Sequence, residues 1–323
     1  SSGICLICGS AAAPQGHSAR ASRRQICAQL RCAGSDPRAS FKGAPKVPKN
    51  EFRPKQSLGQ NYLSDPNTIS KITSLFVQSV RKRCEGNVLS GQVVELGSGL
   101  GAITHQIYTE FPTMTAVELD DRAIHVLGGQ LPSLNILRQD MLELSYRDLA
   151  NRIGGQVYVI GNLPYYIVSD VLLSLVRQPG AVRFAQLMVQ SEVAQKIISS
   201  PGSKEYGVLA ATLQLYTRPR RAFTVPPTAF YPRPKVKSAI VELDFLSEQD
   251  APKIDVSCVR EVISTSFQQR RKVLRHSLAR LLQRERAGLP SKWAGLRAEN
   301  MRPQDFVSVA QAIFPYDRVS SQR

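Results

Sequence analysis

The chain has 323 residues, 42% of them apolar, with a formal charge of +17 and a pI near 9.9. No apolar run approaches the ~18 residues that a membrane-spanning helix needs, so a membrane partner is not expected. The excess of Lys and Arg points instead to a polyanion, with nucleic acid the first candidate. The charge is also placed rather than spread. Residues 1–55 hold ten Lys/Arg against Asp36 and Glu51, a net of +8; 56–250 are nearly balanced at +1; 251–323 return to +8.

Residues 1–53 are rich in Ala, Ser, Gly, Pro and Arg, poor in acids, and without helical or strand periodicity. Arg20, Arg23, Arg24, Arg31 and Arg38 sit among small residues, the composition of an organelle transit peptide. Four of the six cysteines fall there. Cys5 and Cys8 form a C-x-x-C pair, but the wider gap between Cys27 and Cys32 breaks the knuckle spacing of a zinc ribbon, and no metal site is expected. Cys84 and Cys258 are far apart and suggest no disulfide framework.

From about residue 56 the pattern becomes that of a folded domain. Strands are predicted at 92–96, 114–119, 135–138, 157–160, 184–189 and 239–243, the early ones alternating with helical stretches such as 103–111. That alternation implies a doubly wound α/β sheet, with ligands outside the carboxyl ends of the strands. After Phe245 the strands stop. Val259, Ile263, Phe267, Leu274, Leu278 and Leu281 recur at three- to four-residue steps, with one longer interval, and basic residues lie between them. One more helix is predicted at 301–314. The expected division is a leader over 1–53, an α/β domain over 54–248 and a small, basic, all-helical domain over 249–323.

The residues just after the strands carry the chemistry. Glu95-Leu-Gly97-Ser-Gly99-Leu-Gly101 follows the first, and its glycines let backbone turn sharply and approach a ligand closely. Gly97, Gly99 and Ala102 also satisfy the dinucleotide fingerprint, so the loop alone does not tell NAD from S-adenosylmethionine. Glu118, ending the second strand, is placed to accept ribose hydroxyls. Asp140, after the third, is placed to accept an adenine amine. Both favour an adenosine-containing cofactor without choosing between the two.

Gly161-Asn162-Leu163-Pro164-Tyr165-Tyr166, after the fourth strand, makes the choice. An adenine amine is a poor nucleophile because its lone pair is delocalised into the ring. The Asn162 side-chain oxygen and the Leu163 carbonyl can hold its hydrogens and draw the nitrogen towards tetrahedral geometry. Pro164 stiffens the turn, and Tyr165 offers a face on which a base taken out of its stack can rest. Such a site works by positioning, with no metal and no strongly perturbed base.

These motifs together resemble the ribosomal RNA adenine dimethyltransferases that act on two neighbouring adenosines near the end of small-subunit rRNA. The likeness runs from about Pro54 to Phe314. It includes K-Q-S-L-G-Q-N-Y-L at 55–63, the glycine loop, V-E-L-D at 117–120, G-N-L-P-Y at 161–165 and M-V-Q-S-E at 188–192. It continues with Tyr206-Gly207, V-P-P-T-A-F-Y-P-R-P-K-V at 225–236 and F-Q-Q-R-R-K at 267–272. The resemblance implies a Rossmann-like class I methyltransferase fold with S-adenosylmethionine as cofactor. It implies contacts to that cofactor from Asn61, Leu63, Gly97, Gly99, Gly101, Glu118, Asp140 and Asn162, under an N-terminal lid at 56–63. Leu163, Pro164 and Tyr165 would hold the target adenine, with Phe230 closing over its other face. Arg270, Arg271, Lys272 and Arg275 would dock rRNA phosphates.

Four positions depart from the family pattern: Tyr62 for Phe, Ser98 for Pro, Tyr166 for Asn and Ser191 for Lys. None removes a required acceptor or the glycine turn. The implied partners are small-subunit rRNA and the immature small subunit, with the enzyme a monomer. The leader suggests a chloroplast, or alternatively a mitochondrion. The rival readings are an organellar transcription-factor-like or RNA-binding relative with little activity, a large-subunit resistance methylase, and a nicotinamide oxidoreductase. The last leaves the Asn162 loop unexplained, and the basic C-terminal region favours the small-subunit branch over the large.

Overall fold

The structure, a computed structural model, describes residues 61–84 and 90–314. The leader at 1–53, its four cysteines and residues 56–60 of the expected lid lie outside the described residues.

The chain enters through β1 (Tyr62–Leu63) and α1 (Pro66–Arg83). The start of α1 is written in sequence: Asp65 caps it by accepting from the Thr68 amide at 2.9 Å, Pro66 occupies the first turn, and Arg81, Lys82 and Arg83 face the negative end of the dipole. Then β2 (Val93–Leu96), β3 (Thr115–Glu118), β4 (Asn135–Arg138), β5 (Val157–Asn162) and β6 (Val182–Gln190) form a parallel array in the order β4-β3-β2-β5-β6. Its central strands are buried along nearly their whole length, hence their continuous apolar runs. The connecting helices are α2 (Thr104–Glu110), α3 (Asp121–Gln130), α4 (Tyr146–Ile153) and α5 (Val168–Val176).

Register decides where the site forms. Leu96 lies opposite Val117 on one side and Gly161 on the other, and Glu118 lies opposite Arg138. Gly97, Glu118, Asn162 and the residues after Arg138 therefore leave the sheet at one edge, at one level.

Beyond β6 come α6 (Ser191–Ile197), α7 (Val208–Tyr216), β7 (Thr217–Val225), β8 (Phe230–Tyr231) and β9 (Ser238–Phe245). β9 runs antiparallel between β6 and β7, while β8 pairs with β1 as a separate two-stranded ribbon. Nothing at 217–225 reads as a strand in the sequence. It contains Pro219 and three arginines, because β7 is the sheet edge, with a bulge near Arg221, where unpaired backbone and charge are tolerated.

The C-terminal region is helical: α8 (Val256–Gln268), α9 (Leu274–Ser277), α10 (Ala279–Glu285), α11 (Ser291–Ala294) and α12 (Pro303–Ile313). The longer interval between Phe267 and Leu274 is a real break, with Gln269–Val273 outside any helix. These helices share one apolar cluster with the sheet and with α7. Tyr206 makes the joint: its ring meets Phe267 edge-on at 5.8 Å, Phe267 lies 6.0 Å from Phe306, and its buried hydroxyl donates to the Met301 carbonyl at 3.0 Å. This gives Tyr206, a motif residue without a role in the sequence reading, a structural one.

Candidate active site

At the carboxyl edge of β2, β3 and β5 lies a cleft of about 240 Å³. Asn61, Leu63, Gly97, Gly99, Glu118, Asp140, Asn162, Leu163 and Pro164 all line it. Residues singled out after four separate strands and in the N-terminal segment are thus brought to one space. Gly97 and Gly99 have φ of +68° and +53°, backbone that side chains rarely adopt. Gly101 also has a positive φ, yet it does not line the cleft. A Cβ there would sit 2.7 Å from Leu127 Cδ1, so this glycine serves close packing of the turn on α3 rather than contact with a ligand.

Glu118 is fastened by backbone. Its Oε2 accepts from the Gly99 amide at 2.7 Å, and its Oε1 accepts from the Leu119 and Asp120 amides at 2.8 and 2.9 Å. The carboxylate thereby ties the glycine turn to the start of α3 and retains lone pairs for ribose hydroxyls. Asp140 uses Oδ1 to accept from the Leu142 amide at 2.9 Å, leaving Oδ2 for an amine.

Glu95, unassigned in the sequence reading, also lines the cleft, and it is 2% exposed. Burial, then the Glu118 charge, push its carboxyl up to about 8 against a lowering pull from the Thr104 hydroxyl. Its Oε2 and the buried Ser98 Oγ, also in the lining, find no hydrogen-bond partner among the described residues. Three carboxyl groups, two orphaned polar atoms and a glycine-rich turn whose Gly97 and Gly99 carry no side chain fit S-adenosylmethionine, with its cationic methionine end and its adenosine. They fit a pyrophosphate-bearing dinucleotide poorly.

In the Asn162 loop, the Asn162 amide donates through Nδ2 to the Asn61 carbonyl at 3.1 Å, which leaves Oδ1 as the free acceptor. No donor among the described residues reaches the Leu163 carbonyl. Two other expectations are corrected. Tyr165 does not line the cleft, and its hydroxyl is paired with Ser238 Oγ at 2.8 Å, while the adjacent Tyr166 lines the cleft and is 61% exposed. Phe230 is 3% exposed within the apolar core: strand alternation in β8 turns it inward and Tyr231 outward. Neither Tyr166 nor Glu95 was identifiable from spacing; the one cue was a second tyrosine directly after the motif.

The basic residues of the helical region divide. Arg270 is committed internally, donating to Glu299 at 2.8 Å and to the Lys204 and Ser203 carbonyls at 2.7 and 2.9 Å. Arg271, Lys272 and Arg275 are exposed. Arg297, which the sequence gave no reason to single out, joins them through the bridge between Val273 and Arg297.

Comparisons with known proteins agree with this geometry. The family model described as ribosomal RNA adenine dimethylase matches residues 51–313. A relative in Salinibacter ruber, named ribosomal RNA small subunit methyltransferase A, is 36% identical over 280 residues, covering 86% of this chain and 92% of its own length. One of the same name in Francisella tularensis is 36% identical over 262 residues, covering 79% and 96%. Among solved structures, a dimethyladenosine transferase from Plasmodium falciparum has a TM-score of 0.60 at 18% identity, over 76% of this chain and 95% of that one. The 23S rRNA methyltransferase ErmE has a TM-score of 0.55 at 20% identity, over 78% and 99%. These two speak for the class I methyltransferase fold alone. The family match spans both the α/β body and the helices that follow it, and on that ground the chain belongs to the ribosomal RNA adenine dimethylase family, with S-adenosylmethionine as its methyl donor.

Proposed function

We propose that this chain dimethylates N6 of two adjacent adenosines in small-subunit rRNA, working on the immature small subunit as a monomer. The observation that carries the site assignment is the pair of free acceptors, Asn162 Oδ1 and the Leu163 carbonyl, at the edge of a cleft whose other end is acidic.

S-adenosylmethionine supplies, when bound, an electrophilic methyl group on a sulfonium centre. Glu118 and Asp140 would hold its adenosine, while Glu95 and Ser98 lie free for its polar end. Asn162 Oδ1 and the Leu163 carbonyl accept the two hydrogens of the target amine, drawing its lone pair out of the ring. Once methylated, the amine held by Asn162 Oδ1 and the Leu163 carbonyl would be strongly acidic, and its surplus proton would pass to water. In the second round one hydrogen remains, and one acceptor suffices. Tyr166, exposed in the cleft lining, offers a stacking face for the base.

The test is methyl transfer from radiolabelled S-adenosylmethionine to immature small subunits lacking the modification, with the digested RNA analysed for dimethyladenosine. Its appearance is expected; no label with RNA binding intact would shift the reading to a non-catalytic RNA-binding relative. We further propose a chloroplast location, with a mitochondrion as the alternative. The composition of residues 1–53 and the likeness to bacterial enzymes support it. A reporter fused to residues 1–55 that stays diffuse in the cytosol would overturn it.

A further inference from the structure

One segment runs from the N-terminal side of the cleft to the carboxyl end of β6 without lining the cleft itself. At its start the Ala229 carbonyl accepts from the Ser64 and Asp65 amides at 2.8 and 3.3 Å, and Tyr231 pairs with Tyr62, itself a cleft residue. At its end the Lys237 carbonyl accepts from the Ser191 amide at 2.9 Å, and Ser238 holds the Tyr165 hydroxyl. The stretch between, P-R-P-K-V-K at 232–237, is therefore pinned on the N-terminal side of the cleft and again on the Asn162-loop side. It carries Arg233, Lys235 and Lys237 and no acid. All three are exposed, and none of their side chains has an ion pair or hydrogen bond among the described residues. On the neighbouring strand β7, by contrast, Arg220 is engaged with Glu242 and Arg221 with Ser191 and Thr224. Two exposed aromatic rings belong to the same rim, Tyr231 at 46% and Tyr166 at 61%.

Free cations interleaved with exposed aromatic faces match what single-stranded RNA requires: charge that tracks the backbone and rings on which bases stack. A duplex presents paired, stacked bases and gains nothing from the tyrosines. Charge also sorts along the cleft, with carboxyl groups at the cofactor end and cations outside. We propose that Arg233, Lys235 and Lys237, with Tyr166 and Tyr231, form a docking rim for the single-stranded RNA flanking the target adenosine. It is distinct from the face of Arg271, Lys272 and Arg275. The inference rests on the RNA-methylating reading above and adds to it the path of the strand.

The test compares the full chain with a triple Ala variant at Arg233, Lys235 and Lys237, and separately with Tyr166→Ala. The probe is a short fluorescent oligoadenylate, run beside an RNA duplex of equal length, with S-adenosylmethionine binding as the control for folding. The triple variant is expected to keep cofactor affinity, bind the oligoadenylate at least about tenfold more weakly, and lose about two units of log–log salt slope, near 0.7 per phosphate contact. Tyr166→Ala is expected to weaken it by about five- to a hundredfold, the range for a lost stacked base. Duplex affinity should change far less in both. Unchanged oligoadenylate affinity, or equal losses on strand and duplex, overturns the rim while leaving methyl transfer by the wild-type chain untouched. A wild-type chain that binds the strand through this rim but transfers no methyl group overturns the enzymatic reading instead.

Discussion

At the cofactor end of the cleft three polar side chains are held by the protein before any ligand arrives: Glu118 accepts three backbone amides, Asp140 accepts one, and Asn162 is clasped to Asn61. At the rim, the side chains of Arg233, Lys235 and Lys237 have no partner among the described residues. The difference follows from what each end must do. A small ligand of fixed shape is best met by acceptors already oriented, so that little entropy is lost on binding. A flexible strand is met by long side chains that adjust, at the cost of ordering them each time. Changes at the first end should act on geometry, with large effects on turnover or cofactor affinity. Changes at the second should act on affinity and its salt dependence.

The largest effect is expected from Asn162→Ala. It deletes the free acceptor and also the bond to Asn61, so turnover should fall by about a hundred- to a thousandfold or more, by analogy with loss of one preorganised polar group. Cofactor binding should weaken yet stay measurable by calorimetry, because Glu118 and Asp140 remain. Full activity in single-turnover assays would mean that the amine is held by other groups.

Next comes Glu118→Ala. Three amides lose a charged acceptor, and the glycine turn loses its tie to α3. A charge-assisted hydrogen bond contributes about 1.5–3 kcal/mol, so cofactor affinity should drop by roughly ten- to a hundredfold, with turnover at saturating cofactor changing less. Unchanged affinity would remove this carboxylate from the cofactor site.

The basic residues sharpen the contrast between held and free side chains. Arg270→Ala should cost about 2 kcal/mol of folding stability, since the Ser203 and Lys204 carbonyls and Glu299 lose their donors, partly screened by solvent at this half-exposed site. Arg271→Ala should leave stability alone and lower the RNA salt slope by about one unit. Denaturant melts and binding titrations at several salt concentrations separate the two, and the reverse pattern would exchange their roles.

That pair also shows how far sequence reading reaches. The strands β2, β3, β5, β6 and β9 were legible because buried strands are apolar runs, β4 was legible by its place in the strand–helix alternation although it is an exposed edge, and the catalytic loops were legible because they lie directly after these strands. What sequence could not settle depends on partners far along the chain. Tyr165 and Tyr166 differ in outlook: Ser238 pairs with the hydroxyl of the first, and the second is exposed in the cleft lining. Arg270 and Arg271 differ because Ser203, Lys204 and Glu299 capture one guanidinium. Gly101 packs against Leu127, and Phe230 turns inward, through pairings that no local pattern encodes. Edge strand β7 escaped for the opposite reason: its exposure lets it carry charges and a proline that read as loop.

Glu95 offers the finest test of a preorganised cofactor end. Its carboxyl is pushed up to about 8 from an ordinary value of 4.5, so the folded chain holds a proton there that the unfolded chain releases. The resulting stability is fully present below pH 4.5 and is lost as pH rises through about 8. Linkage limits the slope from one such proton to about 1.4 kcal/mol per pH unit. Asp65, Asp244 and Asp305 are shifted downward by hydrogen bonds and cations, so their contributions fade only as pH falls below the ordinary carboxylate range, in a separate window. Urea midpoints of the cofactor-free protein measured between pH 5 and 8 should therefore decline with pH. Glu95→Gln, which keeps the shape and never ionises, should remove that part of the decline. An identical slope in both proteins would mean that Glu95 is already ionised in the free cleft, with water or a neighbouring donor supplying the contact that its buried Oε2 otherwise lacks.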